Sequence, residues 1–159
     1  QLLAQDKKKS SFVSVLVKPN RTILEKIKHL PFDYFQIYDC SPQEIKEIKQ
    51  KYNKKIISVI TVSNQDDVNK YRAFEDVADI LLFDSKGYQN TQSFDHNLLN
   101  NVNSSKPIMV AGDIKTDDLI NFKDKPFLID ASGNLESEKG VKDINKIDKF
   151  LNTVHNINT

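Results

Sequence analysis

The sequence predicts an α/β fold built on a parallel sheet, and three observations carry that expectation. Six apolar runs rich in β-branched and aromatic residues fall at 12–17, 33–38, 56–62, 78–84, 107–111 and 126–131. Each run is followed by a polar or turn-forming stretch and then, in most cases, by residues with helical periodicity. The runs recur regularly, with no Gly/Ser linker or charge block between them, so the 159 residues read as one domain of sequential strand–helix units.

The elements follow in order. After the first run, residues 20–30 place Ile23, Leu24, Ile27 and Leu30 on one helical face. After the second, residues 42–52 do the same with Ile45, Ile48 and Tyr52, and Pro42 suits a first helical turn. The third run precedes Asn64, a good N-cap for the segment behind it. The fourth, Ala78-Asp79-Ile80-Leu81-Leu82-Phe83-Asp84, is apolar enough for a strand buried on both faces, and it ends on a carboxylate. Asp143 is the expected N-cap of a last helix, striped by Ile144, Ile147, Phe150, Leu151 and Val154.

Two architectures satisfy this pattern. One is an open, doubly wound sheet. The other is a (β/α)8 TIM barrel, of which six units are visible. No strand is followed by the Gly-rich turn of dinucleotide-binding sheets, and residues 1–9 read as the tail of a helix feeding the first visible strand. Both points favour the barrel. A barrel has eight strands, so the expectation is a single domain over residues 1–159 whose first two units lie upstream of Gln1.

Composition excludes several function classes. Lys and Arg number 23 against 22 Asp and Glu, which leaves no basic excess for a nucleic-acid surface. No apolar run approaches the ~18 residues that cross a membrane. The single Cys40 excludes an internal disulfide, and no Cys/His spacing of the metal-binding kind is present. A reducing, cytoplasmic setting is the expectation.

In parallel barrels, chemistry is done at the C-terminal ends of the strands. Those ends carry Lys18, Gln36, Asp39, Cys40, Ser63, Asp84, Lys86, Gly112, Asp113, Asp130, Ser132 and Gly133. Asp84 is a candidate acid or base. The loops Ala111-Gly112-Asp113 and Ala131-Ser132-Gly133 have small residues that would let backbone N–H groups approach an oxyanion. They describe an ordinary strand-to-helix turn equally well.

Six segments, in matching order and spacing, resemble the phosphoribosylanthranilate isomerase family of tryptophan biosynthesis. Phe12-Val13-Ser14-Val15-Leu16-Val17 resembles its third strand, and Phe35-Gln36-Ile37-Tyr38 its "VQLHG" strand end. Leu81-Leu82-Phe83-Asp84-Ser85-Lys86 is similar to "LLDTK", and Ser93-Phe94-Asp95-His96-Asn97-Leu98-Leu99 to "TFDWSLL". Lys106-Pro107-Ile108-Met109-Val110-Ala111-Gly112 is similar to "KPFILAGGL", and Asp130-Ala131-Ser132-Gly133-Asn134 with Gly140-Val141-Lys142-Asp143 to "DVSSG…GVKD".

The resemblance implies an Amadori rearrangement of N-(5'-phosphoribosyl)anthranilate with no cofactor or metal. It implies that Asp84 is the general acid and that Gly112, Ser132 and Gly133 face the phosphate; Asp130 either hydrogen-bonds the anthranilate amino group or braces the barrel mouth, and Gln36, also expected in the substrate site, reads as a structural hydrogen-bonding residue at a strand end. The family's general base is a first-strand cysteine, and an arginine after its second strand holds the anthranilate; neither motif occurs in these residues. The chain also departs from the pattern. Asp113 stands where a glycine is expected, Tyr38 replaces the His of "VQLHG", Ser132-Gly133-Asn134 replaces "SSG", and Tyr88-Gln89-Asn90-Thr91-Gln92 replaces "GGTG". The competing expectations are a relative that keeps the fold without the activity, and another phosphosugar-binding barrel.

Other residues have plainer readings. Cys40 reads as a small, partly buried thiol rather than a substitute base. His96 reads as a surface or capping histidine at a helix start. An isolated six-strand sheet would expose long edges and would dimerise, swap or aggregate.

Overall fold

The computed structural model describes residues 8–87 and 93–157. The expected helix tail at residues 1–9 falls almost wholly outside them, and so does the segment replacing "GGTG". Six strands appear where the apolar runs predict them: β1 (Val13–Val17), β2 (Tyr34–Tyr38), β3 (Lys55–Val62), β4 (Ile80–Ser85), β5 (Ile108–Val110) and β6 (Phe127–Ile129). Every neighbouring pair is parallel, and the spatial order is the sequence order, β1-β2-β3-β4-β5-β6. A doubly wound sheet reverses direction at a switch point. This sheet never reverses, so it is six strands of a barrel wall.

Four α-helices occur among the described residues: α1 (Arg21–Ile27), α2 (Pro42–Tyr52), α3 (Gln65–Asn69) and α4 (Ile144–Ile157). Their starts obey local chemistry. Asn20 caps α1 by accepting from the Ile23 N–H, and Asn64 caps α3 by accepting from the Asp67 N–H. Ser41 and Glu44 form a reciprocal capping box ahead of Pro42 in α2. Asp143 accepts from the Asn145 and Lys146 N–H groups at the start of α4. α1 is shorter than its periodicity predicts: it ends at Ile27, Leu24 alone is buried, and Ile23 and Leu30 stay exposed. The units after β4 and β5 use 3₁₀ turns, His96–Leu99 and Thr116–Phe122, in place of α-helices.

Side chains alternate across each strand. One face of β1–β5 packs under the helices as two apolar clusters, one around Phe83, Leu81 and Val110, the other around Phe35, Ile37 and Ile56. The opposite face carries Ile57, Val59, Leu82, Tyr38 and Ala111 in a third cluster, the barrel interior. β1 contributes Val13, Val15 and Val17 to that interior; they pair in register with Tyr34, Gln36 and Tyr38 and remain exposed.

The two ends of the strands are built differently. At the N-terminal end, carboxylates stitch neighbours together: Asp33 accepts from the Phe12 N–H at 2.6 Å, and Asp79 from the Ile56 N–H at 2.7 Å while pairing with Lys49 at 2.9 Å. At the C-terminal end the chain turns sharply. Lys18, Asp39 and Asp113 take left-handed φ values of 40°, 57° and 53° just after β1, β2 and β5, and Gly87 takes 85° after β4. The bottom is tied for stability, and the top is shaped to open a mouth.

Candidate active site

Strand alternation decides which residues meet in the mouth. In β2, Gln36 and Tyr38 point inward while Phe35 and Ile37 point to the helices. In β4, Asp84 lies opposite Thr61 of β3 and points inward, while Phe83 points outward. Asp130 follows β6 directly. These side chains and the loops after β5 and β6 line one open cavity of about 1140 Å³, which contains Gln36, Asp84, Gly112, Asp130, Ser132 and Gly133. All six site residues expected from the sequence therefore share one space. Lys18, Asp39, Cys40, Ser63 and Lys86, also at strand ends, are not in its wall.

Asp84 is 7 % exposed, and both its oxygens are held. The Tyr38 hydroxyl donates to Oδ2 at 2.8 Å, and the Ser85 backbone N–H donates to Oδ1 at 2.7 Å. Gln36 Nε2 lies 3.5 Å behind the Tyr38 oxygen. Burial, and then the charge of Asp84, push the Tyr38 hydroxyl well above its usual range. It therefore stays a hydroxyl at physiological pH and serves as a donor. The sequence reading missed Tyr38, which registers there only as the residue replacing the family's His.

Asp130 is the second carboxyl of the cavity. Burial raises its pKa, the charge of Asp84 raises it further, and a hydrogen bond from Gln36 and the charge of Lys142 act in opposition. Such a group binds its proton more tightly folded than unfolded, so wild-type stability falls as pH rises from the ordinary Asp value through the raised one. Asp130→Asn keeps an acceptor for Gln36 and removes the charge. Its melting temperature at pH 7 should exceed wild type by a few degrees, and the gain should vanish toward pH 3. Thermal melts across that range check it; a variant less stable at pH 7 contradicts the assignment.

The loops are fixed by close packing. Gly112 has φ +95°, and a Cβ there would sit 3.2 Å from the Phe94 ring. Lys142 Nζ donates to the Ser132 carbonyl at 2.9 Å and to Ser132 Oγ at 3.1 Å, pinning the loop after β6. Lys142 belongs to a small antiparallel pair, β7 (Glu136–Glu138) with β8 (Val141–Lys142), which apolar periodicity could not reveal. His96 is neither a surface nor a capping residue. It lies edge-on between the Phe94 and Phe122 rings, and its Nε2 is 3.0 Å from the Ala111 carbonyl. Asp95, one residue earlier, is the cap. Cys40 is half-buried against the α1/α2 side, with its thiol pushed up by burial, which suits an inert thiol and not a base. Among the described residues no cluster of three or more His, Cys, Asp or Glu side chains could hold a metal ion, and no helix is long and apolar enough to cross a membrane.

Comparison with known proteins resolves the family. The family model described as N-(5'-phosphoribosyl)anthranilate (PRA) isomerase matches residues 1–153. The chain belongs to the PRA isomerase family. Among curated PRA isomerases, the one from Rhizobium johnstonii is 31% identical over 161 residues, spanning 94% of this chain and 72% of the relative. The one from Campylobacter jejuni is 36% identical over 149 residues, spanning 91% of this chain and 72% of the relative. The crystal structure of the PRA isomerase from Thermotoga maritima aligns with a TM-score of 0.83 at 20% identity, covering 98% of this chain and 78% of that one. A PRA isomerase in complex with reduced 1-(o-carboxyphenylamino)-1-deoxyribulose 5-phosphate aligns with a TM-score of 0.79 at 18% identity, covering 98% of this chain and 76% of that one. Within this family the cavity described above lies at the C-terminal mouth of the barrel strands.

Proposed function

We propose that this PRA isomerase family member converts N-(5'-phosphoribosyl)anthranilate to 1-(2-carboxyphenylamino)-1-deoxyribulose 5-phosphate, a step of tryptophan biosynthesis, with Asp84 as general acid. The observation that supports it is a buried carboxyl with both oxygens oriented, inside a cavity also lined by two small-residue loops. The relatives' names and the ligand of one solved neighbour point to the same chemistry.

The reaction needs a proton delivered to the furanose ring oxygen. Protonated Asp84 gives that proton, the bond between the anomeric carbon and the ring oxygen breaks toward oxygen, and the nitrogen lone pair forms the C=N of a Schiff base. A base then removes the proton at C2', and the enolamine tautomerises to the ketone. As Asp84 becomes a carboxylate, the Tyr38 hydroxyl and the Ser85 N–H already donate to it, so the charge arises in a site arranged to receive it. Asp130 is placed to accept from the anthranilate nitrogen. Gly112, Ser132 and Gly133 offer the phosphate a backbone cradle, and Gln36 braces Tyr38. The family's base and its anthranilate-holding arginine belong to motifs outside these residues. The same reading makes residues 1–159 part of one barrel domain and places the protein in the cytoplasm.

The test is the loss of phosphoribosylanthranilate fluorescence on adding the purified protein, paired with rescue of tryptophan growth in a bacterium lacking its own isomerase. Turnover with rescue supports the reading. Binding of the substrate without turnover would instead favour a relative that has kept the fold alone.

A further inference from the structure

The carboxylate in the loop after β5 poses a problem for a phosphorylated substrate. Asp113 follows Gly112 directly, lines the same cavity as Ser132 and Gly133, and carries a charge of the same sign as the ligand. Its backbone sits at φ 53°, a left-handed conformation that Asp tolerates better than most residues. The side chain is not left loose. Asn134 Nδ2 donates to Asp113 Oδ1 at 2.8 Å and to the Ile114 carbonyl at 3.1 Å. Both partners are acceptors, which fixes which end of the Asn134 amide points at them. Lys115 Nζ, on an exposed side chain, lies 3.7 Å from the other oxygen, Oδ2.

Asp113 and Asn134 thus join the loop after β5 to the loop after β6. These are the two loops proposed to share the phosphate, and both positions depart from the family pattern. We propose that Asn134 is a positioning residue which holds the Asp113 carboxylate away from the substrate phosphate. The inference rests on the isomerase reading for its substrate. Asp113 alone would weaken phosphate binding; Asp113 held by Asn134 does not.

The test uses four forms of the protein: wild type, Asn134→Ala, Asp113→Asn and the double variant. Two measurements are made on each, steady-state kinetics with phosphoribosylanthranilate and calorimetric titration with inorganic phosphate. A melting curve confirms that each form is folded. Asn134→Ala frees the carboxylate, so KM and the phosphate Kd should each rise about tenfold while kcat stays within about twofold. The double variant has no carboxylate to hold, so both constants should return to within about threefold of wild type. A purely structural role for Asn134 would leave the double variant as impaired as the single one, and that outcome overturns the proposal. So does an unchanged phosphate Kd in Asn134→Ala, or a wild type that binds no phosphate. Absence of turnover in a wild type that binds phosphate would instead defeat the isomerase reading, with the phosphate titrations still deciding the role of Asn134.

Discussion

Asp84→Asn should lower kcat by a factor of about 10²–10⁴, the usual worth of a positioned general acid, with KM within a few-fold of wild type. The substitution preserves shape. An Asn at this position keeps one accepting oxygen for the Ser85 N–H and turns its amide N–H toward the Tyr38 oxygen, which can accept it, but it has no acidic proton to give to the ring oxygen. The loss therefore falls on the chemical step and not on binding. Tyr38→Phe separates supporting geometry from proton delivery. It removes a single hydrogen bond to a charged group, worth about 1.5–3 kcal/mol, so kcat should fall about 10- to 150-fold. Activity assays on both variants check the ranking. A Tyr38→Phe loss equal to that of Asp84→Asn would make the tyrosine, not the carboxyl, the central donor. Equal rates for Asp84→Asn and wild type would remove Asp84 from the acid role.

Phe83→Ala should destabilise the protein by about 3–5 kcal/mol, the usual cost of emptying a large aromatic site in a core. Phe83 is fully buried and meets the Tyr71 ring edge-on at a centroid distance of 6.3 Å. It sits in the middle of the larger cluster, between β4, the segment after α3 and the 3₁₀ turns. The residue beside it is Asp84, pointing the opposite way. One strand thus supplies the core with one residue and the chemistry with the next, and the cavity left by Ala would loosen the backbone that aims the carboxylate. Urea unfolding should show a lower midpoint with an unchanged slope. A shift below about 1 kcal/mol would mean that the neighbours collapse into the space.

The six strands and α2 could be read from the sequence because their evidence is local: β-branched runs of strand length, a proline at the first helical turn, capping side chains at the starts. The six candidate site residues fall on one cavity for a related reason, but strand-end position alone does not select them, since Lys18, Asp39, Cys40, Ser63 and Lys86 also lie at strand ends and are not in its wall. What could not be read depends on register and on distant partners. Tyr38 and Asp84 are 46 residues apart, and only the alignment of β2, β3 and β4 brings hydroxyl and carboxylate together. His96 looked like a capping residue because nothing local announces two aromatic rings on either side of it. Leu30 follows the helical period but stays exposed because α1 ends at Ile27, and Ile23 is exposed although it lies within the helix. The hairpin that anchors Ser132 has Val141 as its one apolar strand residue, so no apolar pattern marks it.

The left-handed residues just past the strands have a consequence for how this mouth can change over time. Among the described residues, Lys18 and Asp39 make two of those turns, Gly87 makes a third, and the turn after β5 combines Gly112 with Asp113. The rim is therefore drawn by backbone angles that several side chains can satisfy at modest cost. Lineages can exchange the groups displayed there while the chain still turns at the same points. Selectivity for what enters the cavity can drift on the rim, with the strand-borne carboxyls beneath it kept in place.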